Sequence, residues 1–246
     1  MHFTRYELER IARHPSGYAP TLAELNAPRS RLIPLGAEEQ ALLAAVSAEP
    51  ESDTPRLRYA DWLDARDPVR AEFIRLQLAN TASPRCTELL ARHAAEWNAR
   101  YAPWSAEDIE YRRGFAEAMS LSGRAFISGG ERLFHLTPLR AVRFVAVQHI
   151  WGEFVACPML NRLCSMNLWG NAIGDDGAIL LAACPYLSSL RELNLARNAL
   201  SDAGAQAILQ APWASHLQSL DLSDNALSAE VMGEVLARGL FLECAR

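Results

Sequence analysis

Lysine is absent from the 246-residue chain; all 24 basic residues are arginine. Its absence excludes a Schiff-base amine, a phosphate-loop lysine and a kinase-type lysine. Long apolar runs are also missing: no segment approaches the roughly 20 residues of a membrane helix. The opening MHFTRYELERIARHP has no apolar stretch behind its charges, so it does not read as a secretory signal. Cysteines are few and odd in number, five, which suits a reducing cytosol better than a disulfide framework. Excess positive charge is lacking as well. The net charge is −5 and neither half of the chain is basic, which argues against nucleic-acid binding. The expectation is a soluble, cytoplasmic protein with no membrane association, long enough to bury a sizeable core.

What is present is self-similarity. Segments beginning at Cys157, Cys184 and Ala211 align without gaps at a period of 27. In phase are Leu163, Leu190 and Leu217; Met166, Leu193 and Leu220; Leu168, Leu195 and Leu222; and Ile173, Leu200 and Leu227. Asn171, Asn198 and Asn225 form one further column. The L-x-x-L-x-L alternation predicts a short strand with its leucines inward. The asparagine amide, donor and acceptor at once, predicts a ladder that satisfies backbone groups at the turn. GDDGAILLAA and SDAGAQAILQ then predict helices, their apolar faces carried by Ala178, Leu181 and Ala182, then Ala205, Ile208 and Leu209. Each unit reads as strand, turn, helix, able to bury its leucines only against its neighbours.

The pattern L-x-x-L-x-L-x-x-N-x-L resembles the leucine-rich repeat, in its longer, ribonuclease-inhibitor-like subtype. It is complete at 190–200 and 217–227, and carries Met166 for one leucine at 163–173. The resemblance implies an α/β fold: a short solenoid with parallel strands on the concave side and helices on the convex side. LRAVRFVAVQHI reads as a degenerate unit with Leu139, Val142 and Phe144 in the leucine positions and Val147 in place of the asparagine. GFAEAMSLSGRAFISGGERLFHL fits one more strand and helix, and Val231 replaces Gly177 and Gly204 in the last unit.

Ahead of residue 113 the pattern is helical, with helices expected at 4–14, 37–48, 54–66, 68–79 and 84–101. Thr54-Pro55, Asp67-Pro68 and Ser83-Pro84 are cap-then-proline starts. Within TPRLRYADWLDARDPVRAEFIRLQLAN (54–80), Leu57, Ala60, Trp62 and Leu63, then Phe73, Ile74, Leu76 and Leu78, are the expected inward positions. The charges between them suggest local pairs, Arg58–Asp61, Arg66–Asp67 and Glu72–Arg75, lacing solvated faces. DTPRLRYADWL and RAEFIRLQ, with ARHAAEWNARYAP and YRRGFAEAMSL behind them, resemble the bacterial repeat-companion domain, a helical module found ahead of leucine-rich repeats. That family brings an architecture and no reaction. The domain reading is an arm at 1–35, a helical module at 36–112 and the repeats at 113–246.

Chemistry is sparse. Asp61, Asp64, Asp67 and Glu72 lie beside arginines on helix faces or at a helix start, which is how salt-bridge networks look. Cys157, Cys164, Cys184 and His149 lack zinc-ligand spacing, and Cys157 and Cys184 share a repeat phase with Ala211, as buried packing residues would. No catalytic, cofactor or metal residues are expected. The surface is what remains. Residues between the strand leucines face the concave side: Arg143 and Val145; Ser165, Asn167 and Trp169; Glu192, Asn194 and Ala196; Ser219, Asp221 and Ser223. Trp169 either stands open as a binding anchor or packs beneath a neighbouring loop. The column Asn167–Asn194–Asp221 would offer hydrogen bonds to a peptide. The leading reading is a non-catalytic adaptor for a protein or peptide. The alternative is an accessory subunit that presents a peptide substrate to a partner enzyme; catalysis by the chain itself ranks third.

Overall fold

The computed structural model describes residues 35–79, 83–238 and 240. The helix expected at 4–14 and, Leu35 apart, the arm at 1–35 lie outside the described residues. Four helices come first: α1 (Ala37–Ala48), α2 (Asp53–Leu63), α3 (Pro68–Ala79) and α4 (Pro84–Asn98), followed by a 3-10 turn over Ala99–Trp104. Proline opens α3 and α4, where its missing N–H is harmless. Asp67 caps α3, its Oδ1 accepting the Arg70 N–H at 2.9 Å.

A six-stranded sheet follows in sequence order: β1 (Glu107–Arg112), β2 (Phe115–Ser122), β3 (Ala141–Val145), β4 (Ser165–Asn167), β5 (Glu192–Asn194) and β6 (Ser219–Asp221). β1 runs antiparallel to β2, and every later pairing is parallel. The sheet thus begins at Glu107, ahead of the 112/113 boundary that the helical pattern suggests. EDIEYR is too charged to read as a strand, and it serves as the solvent-facing edge of a hairpin. Its turn, Arg113–Gly114, has φ of +50° and +86°, the left-handed pair of a two-residue hairpin. A Cβ on Gly114 would also sit 2.8 Å from the Ile74 Cα.

Helices α5 (Gly123–Leu136), α6 (Trp151–Val155), α7 (Gly174–Ala182), α8 (Asp202–Leu209) and α9 (Ala229–Ala237) connect or follow the parallel strands. The repeat leucines are buried between strands and helices, as their spacing predicts. In the units without the full pattern, Phe126, Phe144 and Phe154 fill the same core edge to face, with ring centres 5.0 and 4.7 Å apart.

The asparagines form a directional ladder. Asn171 Nδ2 donates to Phe144 O (2.9 Å) and Leu168 O (3.0 Å), while its Oδ1 accepts the Val147 N–H (3.3 Å). Asn198 Nδ2 donates to Leu168 O and Ala196 O, and its Oδ1 accepts the Asn171 N–H. Asn225 repeats this against Leu195 O, Leu222 O and the Asn198 N–H. Val147 needs no amide of its own because it stands at the receiving end. A second tie joins the helix starts. Asp175 accepts the Ser201 N–H (2.8 Å), the Ser201 hydroxyl (2.5 Å) and the Gly204 N–H (3.1 Å). In the next unit Asp202 accepts the Ser228 N–H and, among the described residues, no other hydrogen bond. Val231 there occupies the Gly204 phase, where a Cβ on Gly204 would lie 2.3 Å from Asp175 Oδ1.

The 54–80 segment differs from expectation in its charges. Arg75 pairs with Asp61 of α2 and with Asp64 just past its end (both 2.7 Å), Glu72 pairs with Arg85 of α4, and Arg66 reaches Glu38. Helix-to-helix packing supplies closer partners than the helix's own next turn. Leu57 is exposed, and Arg56 takes the inward place beside Tyr59, Ala60 and Leu63. Arg56, Arg70 and Gln77 all reach the β1–β2 hairpin. Arg56 Nη1 bonds Arg113 O, Arg70 Nη2 bonds Gly114 O, and Gln77 bridges Tyr111 O and the Gly114 N–H. Arg113 returns the contact through Pro50 O and Glu51 O. The joint between helices and sheet is therefore polar and specific.

Candidate functional site

Parallel in-register pairing sorts the residues between the leucines into two rows. Arg143, Asn167, Asn194 and Asp221 stand opposite one another in succession, continued past Arg143 by Ser120. Ser165, Glu192 and Ser219 form the second row. At roughly 4.8 Å per strand, the long row gives polar side chains a regular spacing across the open face of the sheet.

The polar column is partly engaged by its own backbone. Asn167 Oδ1 accepts the Trp169 N–H, Asn194 Oδ1 the Ala196 N–H, and Asp221 Oδ1 the Ser223 N–H, each at 2.9 Å. These Asx turns fold the chain sharply after each strand. Asn194 Nδ2 also donates to Asp221 Oδ2 at 2.8 Å. Ala196, expected on this surface, is buried.

Trp169 is 37 % exposed. The guanidinium of Arg143, from the preceding strand, lies 5.5 Å from its ring centre, and that of Arg197, from the following unit, lies 5.4 Å away. Each cation is anchored in turn, Arg197 by Asp224 at 2.7 Å and Arg143 by Asp108 at 4.0 Å. The indole is thus open to solvent yet flanked by two guanidinium groups. Arg197 and Asp108 escape the sequence reading. Arg197 sits in a left-handed turn position, φ +55°, in phase with Gly170 and Asp224, outside the strand alternation. Asp108 sits at an irregular point of β1.

Cys157 and Cys184 are buried, and burial pushes both thiols up. The Cys184 thiol donates to Val155 O, and Cys164 Sγ accepts from Arg140. Among the described residues no three His, Cys, Asp or Glu side chains gather as a metal site, and no helix is long and apolar enough to cross a membrane.

No curated protein matches the chain. A family model for the leucine-rich repeat matches residues 165–182, 186–209 and 214–230, the segments holding β4 to β6 and the helices beside them. Residues 165–230 of this chain carry leucine-rich repeats.

Proposed function

We propose that the protein is a non-catalytic adaptor: a repeat-companion-type helical module on a short leucine-rich solenoid whose concave face binds a protein or peptide partner in the cytosol. Repeats of this class generally mediate protein–protein contact. The observation that carries the reading is the exposed indole of Trp169, flanked by Arg143 and Arg197 at the edge of the row Arg143–Asn167–Asn194–Asp221. An exposed aromatic beside polar groups is the composition of an interface centre. The test is quantitative co-purification from native cells with the wild-type chain and Trp169→Ala. A partner retained by the first and depleted by the second, with unchanged unfolding midpoints, supports the reading. Equal recovery by both chains rejects it. Were the retained partner an enzyme, the accessory-subunit reading would replace the plain adaptor.

A further inference from the structure

A cavity of about 280 Å³ lies where α2, α3, α4, the 3-10 turn and the β1–β2 hairpin converge. Its walls are aromatic, Tyr59, Trp62, Trp97 and Tyr101 among them, and three arginines and three carboxylates line it. Most of those charges are occupied. Glu39 accepts the Tyr59 hydroxyl (2.9 Å) and meets Arg100 (3.5 Å). Arg66 reaches Glu38 and lies 4.3 Å from a Trp62 ring centre. Asp67 caps α3, and Glu96 faces His93.

Arg70 is the exception. Its Nη2 donates to Gly114 O at 2.5 Å, and its Nη1 is buried with no acceptor among the described residues. Its guanidinium carbon lies 4.5 Å from the ring centre of Trp97, 4.8 Å from Tyr111 and 5.2 Å from Phe73. Among the described residues no carboxylate pairs with this guanidinium, Asp67 taking only the Arg70 backbone N–H. Arg70 as a whole is half-buried, and ring faces offset part of the desolvation of its cation, but a guanidinium withdrawn from water ordinarily has a hydrogen-bonded counter-charge. Arginine cannot escape by giving up its proton at neutral pH. Burial does press its pKa down, the direction of a cation short of an anion.

We propose that this cavity binds a small carboxylate with an apolar or aromatic body, the carboxylate supplying the counter-charge for Arg70. Three features set that chemistry. The lining arginines and carboxylates balance, three against three, so one added negative charge is accommodated and a phosphate dianion meets repulsion. The aromatic walls suit an apolar body. The volume sits at the lower edge of ligand pockets, room for one small acid or one C-terminal residue and too little for a nucleotide. The Tyr101 hydroxyl, with no hydrogen bond among the described residues, offers a further donor.

Two sources share this chemistry, a free acid and the terminal carboxylate of a peptide. Calorimetry on the full chain would use 3-phenylpropionate, its amide, phenyl phosphate, and acetyl-Ala-Phe as acid and as amide. At least one acid should bind one to one, and its amide about ten-fold weaker or worse. Binding of 3-phenylpropionate alone identifies a free acid as the source; binding of the acetyl dipeptide acid identifies a chain terminus. NMR should show the Trp62 and Trp97 indole N–H signals shifting while that of Trp169 stays. Arg70→Gln should lose about ten-fold or more in affinity. Since Arg70 also braces Gly114, the acid–amide comparison on the wild-type chain decides the matter should that variant fail to fold. Equal binding of acid and amide, tighter binding of phenyl phosphate, shifts confined to Trp169, or no binding at millimolar acid would each overturn the proposal.

Discussion

Arg56, with none of its side chain exposed, ends 2.5 Å from Oε1 of Glu117 on β2, 61 residues along the chain. The same guanidinium holds Pro50 O and Arg113 O and lies 5.2 Å from the Phe115 ring centre. Burial pushes the Glu117 carboxyl up and the Arg56 guanidinium down, and in both the pair's mutual attraction works the other way. The close hydrogen bond and the two carbonyls favour the charged form of the guanidinium.

Arg56→Met leaves Glu117 buried without its partner and should destabilise the fold by about 3–5 kcal/mol. Adding Glu117→Leu should recover much of the loss. Without Arg56 the folded-state pKa of Glu117 rises further. The protonated folded form is then favoured, so the deficit shrinks at acid pH and grows as pH rises through that folded pKa. Urea unfolding across pH measures both effects, and a pH-independent deficit would contradict the buried pair. Next door, Leu57→Gln should change stability by less than about 0.5 kcal/mol, because that side chain is exposed.

Asp175 is held below the usual aspartate range, first by the Ser201 hydroxyl, then by the backbone N–H of Ser201 and of Gly204. The sign is opposite to that of Glu117. Its contribution is present at neutral pH and lost as pH falls below the ordinary aspartate value and through the depressed one. Asp175→Asn should flatten that part of the acid limb in unfolding curves. Gly204→Val should cost about 1–3 kcal/mol, since its Cβ takes the space of the carboxylate.

Asn198→Ala removes an amide that serves Leu168 O, Ala196 O and the Asn171 N–H in a fully buried position. Leu168 O and Ala196 O keep the Asn171 amide and the Gly170 N–H as donors, but the Asn171 N–H is orphaned at about 1–3 kcal/mol, so in this buried position the variant should be more damaging than Asn225→Ala at the half-buried end of the ladder. Pairing it with Asn171→Ala should cost more than the sum, because both amides donate to Leu168 O, which either one alone still serves. Denaturant titration of the three variants gives the comparison.

Trp169→Ala should leave the unfolding midpoint nearly unchanged. The indole is open and its two flanking contacts are exposed cation–π pairs, each about 0.5–1 kcal/mol at most. A large loss would make Trp169 a structural residue and would weaken its assignment as an anchor.

The repeats were legible in the sequence because a period shared by leucine and asparagine columns reports contacts made the same way each time. Pro68 and Pro84 marked helix starts for an equally local reason. What stayed hidden depends on neighbours distant in sequence. Arg56 reads as a surface residue until Glu117 is opposite it, and Glu72 looks tied to Arg75 until α4 brings Arg85 nearer. Arg197 was missed because the alternation rule stops where the strand stops. The Arg70 cavity was missed because its walls come from elements spread between α1 and α5, and no single segment shows that one cation lacks a counter-charge.

The asparagine ladder also makes one unit a transferable cassette. Every bond that Asn198 makes to its predecessor is remade by Asn225 one period later, so a duplicate of 184–210 placed after residue 210 would meet complementary donors and acceptors on both sides. Growth by whole copies keeps all interfaces, whereas an insertion of a few residues inside a unit breaks two of them. The length of such a chain is therefore quantised, and selection can widen the open face of its sheet in steps without inventing new contacts.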